Sequence, residues 1–528
     1  MKLSRRQALR VIGAAGPAIA MGGTRRIFGQ VGGVELTPGR FAGTRASLKA
    51  YTIPDWFADA KFGIWSHWGP QSAVGDGDWY ARWMYIQGSP QNQYHVQRFG
   101  PPSKVGYKDL IPLFTADRWD PDHLIDLYAK AGAKYFFSMG VHHDNFDMWN
   151  SKYQKRWNAV NAGPHKDIVG MWAAAARRRG LRFGVSEHLS NSYDWLAPAH
   201  TSDKTGPLAG VPYDGTDPAY ADLYHDYTGE PADFAANAKP MGRVAPERWK
   251  IEYLRRIKDL VDTYQPDLLY TDGGIPFEEY GLTSVAELYN VGPVDVRGQP
   301  ETVYTSKVAE DCTEGTCVLD RERGVAGSIW PAPWQTDTCI GNWHYKVGQV
   351  YKTPKKVIDL LVDIVSKNGN LLLNFPLPAS GELDAEEMKI LEGITAWMRV
   401  NDEGIFATRP WKINGEGPSM NGQPGITQPA QAGFNENKQP DLGAGDIRFT
   451  TRGKTMYAFV QGWPQQQITI GALGTSSPQQ PAKVMDVRML GRNEALGFKQ
   501  EAAGLRVTLP AEKPPTADFG IALRVNFA

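Results

Sequence analysis

The residues best suited to chemistry in this chain lie directly after short apolar runs. Four such runs each end in a histidine, an aspartate or a glutamate. The four endings are Ser66-His67, His142-His143-Asp144, Ser186-Glu187-His188 and Thr271-Asp272-Gly273. One histidine alone is more often a satisfied structural residue, whereas four endings of this kind favour one shared site. We therefore interpret these residues as the rim of an active site.

Two kinds of chemistry fit carboxylates and histidines gathered in one place. Glycoside hydrolysis needs two carboxyl groups beside the scissile bond, and a retaining enzyme sets them about 5–5.5 Å apart. A metallohydrolase would instead use His67, His142, His143 and His188 as ligands. Neighbouring residues on a strand point to opposite faces, so His142 and His143 could not both ligate while the strand continues. We rank the metal second, and we expect no metal and no cofactor.

Alternating apolar runs and helical patterns must position these side chains. They extend from about residue 56 to 407 and are typical of βα units around a parallel sheet. The predicted strands are 62–68, 134–141, 181–186, 267–272, 303–306 and 370–375, and the clearest predicted helices are 166–179, 246–264 and 354–367. Repeated units of this kind predict a (β/α)8-like barrel at 51–410, with functional side chains at the carboxyl ends of its strands.

The chain changes character after Pro410. Gly, Pro, Gln and Asn crowd residues 414–445, and short alternating runs follow. These runs lie at 446–451, 455–461, 467–470, 483–489 and 504–509. Strand signals at turn spacing predict a C-terminal all-β sandwich over residues 411–528.

The N-terminus has the pattern of a processing segment. The paired arginines Arg5 and Arg6 precede a short apolar run that ends in Ala18-Ile19-Ala20. This is typical of a twin-arginine signal peptide, here residues 1–30, with a linker at 31–50. We therefore predict a periplasmic or secreted protein. No later stretch reaches about 18 uninterrupted apolar residues, so we expect no membrane insertion.

Composition narrows the choice of partner. Basic and acidic residues number 57 each, so the net charge is near zero and nothing indicates nucleic acid. Seventeen Trp and 22 Tyr suit a carbohydrate, because flat rings pack on the apolar faces of sugars, although a large barrel also has a large aromatic core. Of the three cysteines, Cys312 and Cys317 could pair and leave Cys339 over, or all three could be free thiols.

Several segments together carry a family resemblance. They are 61–70 (Lys-Phe-Gly-Ile-Trp-Ser-His-Trp-Gly-Pro), 78–80 (Asp-Trp-Tyr), 142–146 (His-His-Asp-Asn-Phe), 264–273 (Tyr-Gln-Pro-Asp-Leu-Leu-Tyr-Thr-Asp-Gly) and 367–374 (Lys-Asn-Gly-Asn-Leu-Leu-Leu-Asn). In this order, and across residues 52–410, they resemble the α-L-fucosidases, family 29 of the glycoside hydrolases. The resemblance implies a retaining double displacement on a terminal fucose of an oligosaccharide or polysaccharide. It implies Asp272 as nucleophile, with His67, His142 and His143 on the sugar hydroxyls and Trp79 nearby.

The second carboxylate departs from the family pattern. Many members place the acid/base glutamate just after a tryptophan, where this chain has Gln335, and an amide cannot donate a catalytic proton. Three carboxylates could replace it: Glu322, Asp337 and Glu187. We favour Glu322 and predict Asp272 and Glu322 as the catalytic pair. The residues predicted to bind substrate are His67, Asp78, Trp79, His142, His143, Glu187, Gln335, Asp337 and Trp343.

Two alternatives follow from the same residues. A related glycosidase could act on another sugar, such as an α-galactoside, whose hydroxyl stereochemistry is close to that of fucose. A carbohydrate-binding barrel that had lost its acid would also fit, because of Gln335.

Overall fold

A parallel barrel forms the first part of the computed structural model, which describes residues 30–227, 245–313, 315–420 and 433–528. Its strands are β1 Phe62–Ser66, β2 Tyr135–Val141, β3 Arg182–Glu187, β4 Leu268–Thr271, β5 Val303–Ser306, β6 Val318–Leu319, β7 Trp334–Cys339 and β8 Gly369–Asn374. They form one sheet in the order β6-β5-β4-β3-β2-β1-β8-β7. A parallel bridge between Asp320 and Gln335 joins the two ends and closes the ring. The predicted barrel is thus confirmed.

Large rings fill the inside of this barrel. Alternate residues of a strand point to opposite faces, so Tyr135 and Phe137 of β2 point inward while Phe136 packs outward in the main core. Gly63 of β1 leaves room for the Tyr135 ring, because a Cβ there would lie 2.2 Å from it. Trp65 and Tyr270 complete the upper layer. The packed interior gives the strand ends a rigid base.

Helices cover the outside of the barrel. The longer ones are α1 Pro121–Lys130, α2 Ile168–Arg178, α3 Glu247–Tyr264, α4 Glu279–Val291, α5 Pro354–Ser366 and α6 Ala385–Asn401. The shorter ones are Arg45–Leu48, Asp55–Ala60, Tyr80–Trp83, Pro90–Arg98, Tyr107–Leu110, Ser192–Trp195, Ala221–Tyr224 and Ala309–Thr313. Helix α5 begins as predicted, since the Thr353 side chain accepts a hydrogen bond from the Lys356 amide at its N-terminus.

Two barrel strands were absent from the sequence prediction. Strand β6 has two residues, too few to form a pattern. Strand β7 reads Trp-Gln-Thr-Asp-Thr-Cys, so it lacks an apolar alternation although every residue in it is buried. Its inward polar groups pair inside the barrel, where the amide of Gln335 donates to Asp320 at 2.7 Å. Because the inward side chains of β7 are polar, a hydropathy pattern does not reveal this strand although it is buried.

A second, all-β domain follows the barrel. Its strands are β9 Arg409–Glu416, β10 Ile447–Arg452, β11 Thr455–Val460, β12 Gln467–Ile470, β13 Val484–Met489, β14 Phe498–Gln500, β15 Leu505–Thr508 and β16 Ile521–Phe527. Five of them form one sheet, in the order β9-β10-β11-β16-β13, and three form another, in the order β12-β15-β14. The predicted all-β domain is confirmed, although β9, β14 and β16 had not been predicted.

A buried ion cluster joins the two domains. Arg448 of β10 donates to Asp363 of α5 at 2.6 Å, and Lys367 binds the other oxygen of Asp363 at 2.7 Å. The indole of Trp397 in α6 also donates to the Gly520 carbonyl at 2.9 Å. Because buried charges are tolerated only when paired, this cluster holds the sandwich in one position on the barrel.

Other predictions concern the termini and the cysteines. Cys312 and Cys317 form a disulfide, and Cys339 is a buried free thiol. All but the last residue of the predicted signal peptide, residues 1–29, lie outside the described residues. Within the described ranges, none of the helices combines the length and the apolar character needed to cross a bilayer.

Candidate active site

A cavity of about 250 Å³ lies at the carboxyl ends of the barrel strands. Nine of the predicted site residues line it: His67, Asp78, Trp79, His142, His143, Asp272, Glu322, Asp337 and Trp343. The other lining residues are Trp65, His188, Asn191, Tyr270, Gly273, Lys307 and Phe434. Two predicted residues, Glu187 and Gln335, are not in the lining. The barrel thus gathers most of the predicted side chains around one opening.

Asp272 directly follows strand β4 and points into the cavity. One carboxylate oxygen accepts from the Lys307 ammonium at 2.7 Å. The other lies 3.2 Å from Nε2 of His143 and 3.5 Å from Nδ1 of His188. Burial would raise the pKa of Asp272, but Lys307 and the two histidines outweigh it and hold that pKa well below its usual range. This carboxylate is therefore ionised, as a nucleophile must be.

Lys307 bridges the two predicted catalytic carboxylates. Its ammonium lies 2.7 Å from Asp272 and 2.5 Å from Glu322. The two bound oxygens are therefore at most about 5.2 Å apart, an upper limit compatible with the spacing of about 5–5.5 Å in retaining glycosidases. Burial would lower the pKa of Lys307, but the charges of Asp272 and Asp337 raise it well above its usual range. The lysine stays charged between the two acids.

Glu322 reaches the cavity from the loop after the two-residue strand β6. Besides Lys307, it accepts a hydrogen bond from the indole N–H of Trp343 at 3.1 Å. Burial raises the pKa of Glu322, and the charges of Asp337 and Asp272 add to the rise against the opposing charge of Lys307. A carboxyl group with a raised pKa can hold a proton until a leaving group needs it.

Asp337 lines the floor of the cavity and is fully buried. It accepts from the Tyr270 hydroxyl at 3.1 Å and lies 3.8 Å from the Lys307 ammonium. Burial, together with the charge of Asp337, raises the pKa of neighbouring Asp320 well above its usual range. Asp337 therefore belongs to a buried carboxyl pair below Lys307, farther from it than Glu322 is.

Gln335 lies inside the barrel and departs from its predicted role in substrate binding. Its amide N–H donates to Asp320 at 2.7 Å, and its carbonyl accepts from the Tyr135 hydroxyl at 3.0 Å. Both ends of the amide are thus engaged within the lumen. An amide here also avoids a third carboxylate beside Asp320 and Asp337.

Glu187 also departs from its predicted role in substrate binding, and from its place among the acid/base candidates. It is fully buried, and its carboxylate accepts from the hydroxyls of Thr271 and Tyr253 at 2.5 and 3.2 Å and from the Leu189 amide at 3.0 Å. Burial raises the pKa of Glu187 to about 7 against those hydrogen bonds. As the last residue of β3 it faces helix α3, and the alternation of the strand turns it away from the cavity.

Histidines form most of one wall. The Gln71 amide donates to Nδ1 of His142 at 2.7 Å, which leaves Nε2–H of that ring free to donate. Both nitrogens of His143 face oxygen acceptors, the His188 carbonyl at 2.9 Å and Asp272 at 3.2 Å. Within the described chain, Nδ1 of His67 and Nε2 of His188 have no hydrogen-bond partner. Buried polar atoms of this kind are available to hydrogen-bond a polar ligand.

Asp78 and Trp79 enter from a loop that pairs with residues 342–347. Asp78 binds Nδ1 of His344 at 2.6 Å, and a backbone bridge joins Asp76 to Lys346. The Trp79 ring stands perpendicular to His143, with centroids 5.9 Å apart. This pairing fixes one lip of the cavity.

Two histidine sets could also hold a metal ion. They are His67, Asp78, His142 and His344, and His142, His143 and His188, each with ligand atoms within 4.8 Å of one another. In the first set His344 is already bound to Asp78, and in the second His143 is bound to Asp272. A metal would have to replace contacts that hold the nucleophile and the cavity lip.

Sequence reasoning missed several residues of this site, among them Lys307 and Phe434 in the cavity lining, and also His344, which binds Asp78. Lys307 directly follows the predicted strand 303–306, so the rule of strand endings would have found it. His344 follows Trp343 on a loop and has no such signal. Lys307 contacts both predicted catalytic carboxylates, and His344 contacts Asp78.

Most of this chain is similar in sequence and in structure to known alpha-L-fucosidases. The family model described as Alpha-L-fucosidase matches residues 32–403, and the one described as Alpha-L-fucosidase C-terminal domain matches residues 439–526. The tissue alpha-L-fucosidase of Mus musculus is 29% identical, covering 94% of this chain and 95% of that protein. The plasma alpha-L-fucosidase of Homo sapiens is also 29% identical, covering 89% of each. The structure of Thermotoga maritima alpha-fucosidase in complex with fucose has a TM-score of 0.68 at 25% identity, covering 92% of this chain and 100% of that one.

Proposed function

This chain belongs to the α-L-fucosidase family, and on that premise we propose that it removes terminal α-L-fucose from glycans by retaining double displacement. The observation that carries the mechanism is the bridge from Lys307 to both Asp272 and Glu322. It joins one carboxylate with a depressed pKa to one with a raised pKa at the spacing of a retaining pair. Opposite pKa shifts of this kind support Asp272 as the nucleophile and Glu322 as the acid.

In the first step Asp272 attacks the anomeric carbon while Glu322 gives its proton to the glycosidic oxygen. The C–O bond to the leaving sugar breaks, and a covalent glycosyl–Asp272 ester forms. Glu322 is then a carboxylate and takes a proton from water as that water attacks the same carbon. This releases fucose with its original configuration and returns the proton to Glu322.

Lys307 has a different task in each half of this cycle. While Asp272 is free, the ammonium stabilises its negative charge. Once Asp272 is esterified that charge is gone, and Lys307 is left with Glu322 and Asp337 as its anionic neighbours. The lysine then favours the ionised form of Glu322, which is the form that acts as base.

The cavity suits a single deoxy sugar. Its volume of about 250 Å³ accommodates one pyranose ring rather than a chain, so the enzyme should act at glycan ends. Unpartnered nitrogens of His67 and His188 can bind hydroxyls, and Trp65 and Trp343 offer apolar surface for a methyl group. L-Fucose is 6-deoxy-L-galactose, so an α-L-galactoside would place a polar hydroxymethyl group where fucose has that methyl.

The stereochemistry of the product tests this proposal. We expect that hydrolysis of an aryl α-L-fucoside, followed by NMR before mutarotation, gives α-L-fucose first. Formation of β-L-fucose first would exclude double displacement. No turnover on any aryl glycoside would instead favour a binding barrel that has lost its acid.

We also propose that the protein is exported through the twin-arginine-type segment at its N-terminus. The motif Ser4-Arg5-Arg6 supports this. Replacing both arginines by lysine should keep the precursor in the cytoplasm. Unchanged export of that variant, measured by cell fractionation, would contradict the proposal.

A further inference from the structure

One aromatic residue at the mouth of the cavity comes from outside the barrel. Phe434 belongs to the segment between strands β9 and β10 of the C-terminal domain, yet it lines the cavity with Glu322. Its ring is 60% exposed, whereas Trp65 deeper in the same cavity is buried. An exposed ring at the rim of a sugar site is placed to meet the part of the substrate that projects outward.

The backbone around Phe434 is built tightly onto the loop that carries Glu322. The Phe434 amide donates to the Glu322 carbonyl at 2.7 Å, and the Asn435 amide donates to the Arg323 carbonyl at 3.0 Å. A Cβ on Gly433 would lie 1.9 Å from the Glu322 carbonyl oxygen, so this approach requires glycine. The Asn435 side chain exchanges two further hydrogen bonds with Val325, at 2.7 and 3.0 Å.

Phe434 itself adopts a backbone conformation that bulky residues avoid. Its φ is +60°, in the left-handed region, which is unfavourable for a residue with a Cβ. A residue held there while its ring stays exposed gains little from packing in the free protein. Strain of this kind is commonly maintained at ligand sites.

The position of Phe434 relative to the acid decides which part of the substrate it meets. Glu322 has to reach the glycosidic oxygen, and the leaving sugar is attached to that oxygen. The backbone of Phe434 is hydrogen-bonded to that of Glu322, so we expect the Phe434 ring to lie on the side of the leaving sugar. His143 and His188, which would bind fucose, contact Asp272 instead.

We propose that Phe434 is the platform of a subsite for the leaving sugar, packing its ring on the apolar face of a pyranose. This inference rests on the proposed function, because it takes Glu322 as the acid. The C-terminal domain thereby contributes to the choice of glycan. Aromatic faces are suited to sugars, since C–H groups of a pyranose meet the electron-rich ring.

Two substrates separate this role from the catalytic one. α-L-Fucosyl fluoride has no leaving sugar, whereas α-L-fucosyl disaccharides of galactose or N-acetylglucosamine have one. For the disaccharide that the wild type cleaves fastest, we expect Phe434→Ala to raise KM by about tenfold. We expect kcat/KM for the fluoride to stay within about twofold of wild type.

Matched variants and a binding measurement complete the test. Phe434→Trp should keep the low KM, and Phe498→Ala, a partly exposed phenylalanine of the sandwich, should behave as wild type. With Asp272→Ala added to prevent turnover, calorimetry should show weaker disaccharide binding for Phe434→Ala and unchanged binding of free fucose.

Three results would contradict the subsite or the function on which it rests. Equal losses on both substrates would mean that the ring only supports the Glu322 loop, and no loss on either would mean that it meets no sugar. Either result overturns the subsite and leaves the proposed function standing. Failure of the wild type to hydrolyse the fluoride would overturn the proposed function itself, before Phe434 is tested.

Discussion

Asp272 and Glu322, the proposed nucleophile and acid, occupy regions that are built in opposite ways. Asp272 follows a barrel strand directly and is held by Lys307, His143 and His188, all at strand ends or just beyond them. Glu322 lies on a loop after a strand of two residues, and residues 433–435 of the C-terminal domain cover that loop. The nucleophile is thus supported by the barrel, and the acid depends on a contact made by a second domain.

This difference explains why one residue was easy to identify and the other was not. A strand end is a position that hydropathy and periodicity reveal. The place of a loop depends on long-range contacts that pattern analysis does not show. Substitutions at the two sites should therefore differ in their effects.

The largest loss is expected for Asp272→Ala. Without the nucleophile no covalent intermediate forms, so kcat/KM should fall by at least about 10³-fold even on an activated aryl fucoside. Azide should restore part of the activity by entering the vacated space. It would attack from the face opposite the leaving group, so NMR should identify β-L-fucosyl azide.

Asp337→Asn is the matched control for that variant, since Asp337 also lies near Lys307. Its residual activity should not respond to azide. If Asp337→Asn formed the β-azide and Asp272→Ala did not, the nucleophile would be Asp337.

A smaller loss with the opposite azide product is expected for Glu322→Ala. Removing a general acid should lower kcat/KM by about 10²–10⁴-fold on a disaccharide, and much less on a substrate with an activated leaving group. Azide should now attack the covalent intermediate and give α-L-fucosyl azide. Wild-type activity should also fall as pH rises through the raised pKa of Glu322, since the acid must be protonated, and the variant should lose this limb.

A glutamate placed at residue 335 tests whether the position that holds the acid/base in many family members can supply the acid in this chain. The double variant Glu322→Ala, Gln335→Glu should remain as inactive as Glu322→Ala, because residue 335 lies in the barrel lumen and not in the cavity. Recovery of disaccharide hydrolysis in the double variant would assign the acid position to β7.

The smallest effect concerns Glu187, a carboxyl group at a strand end that faces away from the site. Its pKa of about 7 exceeds that of an unfolded glutamate, so the native state binds the extra proton. Its contribution to stability is full below pH about 4.5 and is lost as pH rises through about 7, at most on the order of 3 kcal/mol. Glu187→Gln should flatten this decline in urea unfolding and keep kcat/KM within about threefold. Parallel pH curves, or a large loss of activity, would contradict this assignment.

Much of the barrel could be predicted from sequence because most of its strands are short, largely apolar runs that are buried on both faces. Strand β1 was predicted at 62–68 and observed at Phe62–Ser66, and helix α5 was predicted within one residue. Strand β7 escaped because most of its side chains are polar, and the inward ones are hydrogen-bonded to other parts of the barrel, as Gln335 is to Asp320 and Asp337 is to Tyr270. Strand β9 escaped because it adjoins a Gly- and Pro-rich stretch and pairs with a break between Pro410 and Gly415.

The candidate site was predictable to the extent that strand ends define it. His67, His142, His143 and Asp272 obey that rule and line the cavity. Glu187 obeys the same rule in sequence but faces outward, because one step along a strand reverses the side chain. Phe434 could not be found in this way, since 112 positions separate it from Glu322 in the chain while a backbone hydrogen bond joins them.

The clasp formed by Gly433, Phe434 and Asn435 has a consequence for how such proteins can be recombined. Its contacts with residues 322–325 depend on a glycine and on backbone groups at fixed positions. A hybrid that takes its barrel from one relative and its sandwich from another would keep both folds and still misplace the acid, unless both halves of the clasp come from one parent. The position of the Glu322 loop therefore depends on the barrel and the sandwich together.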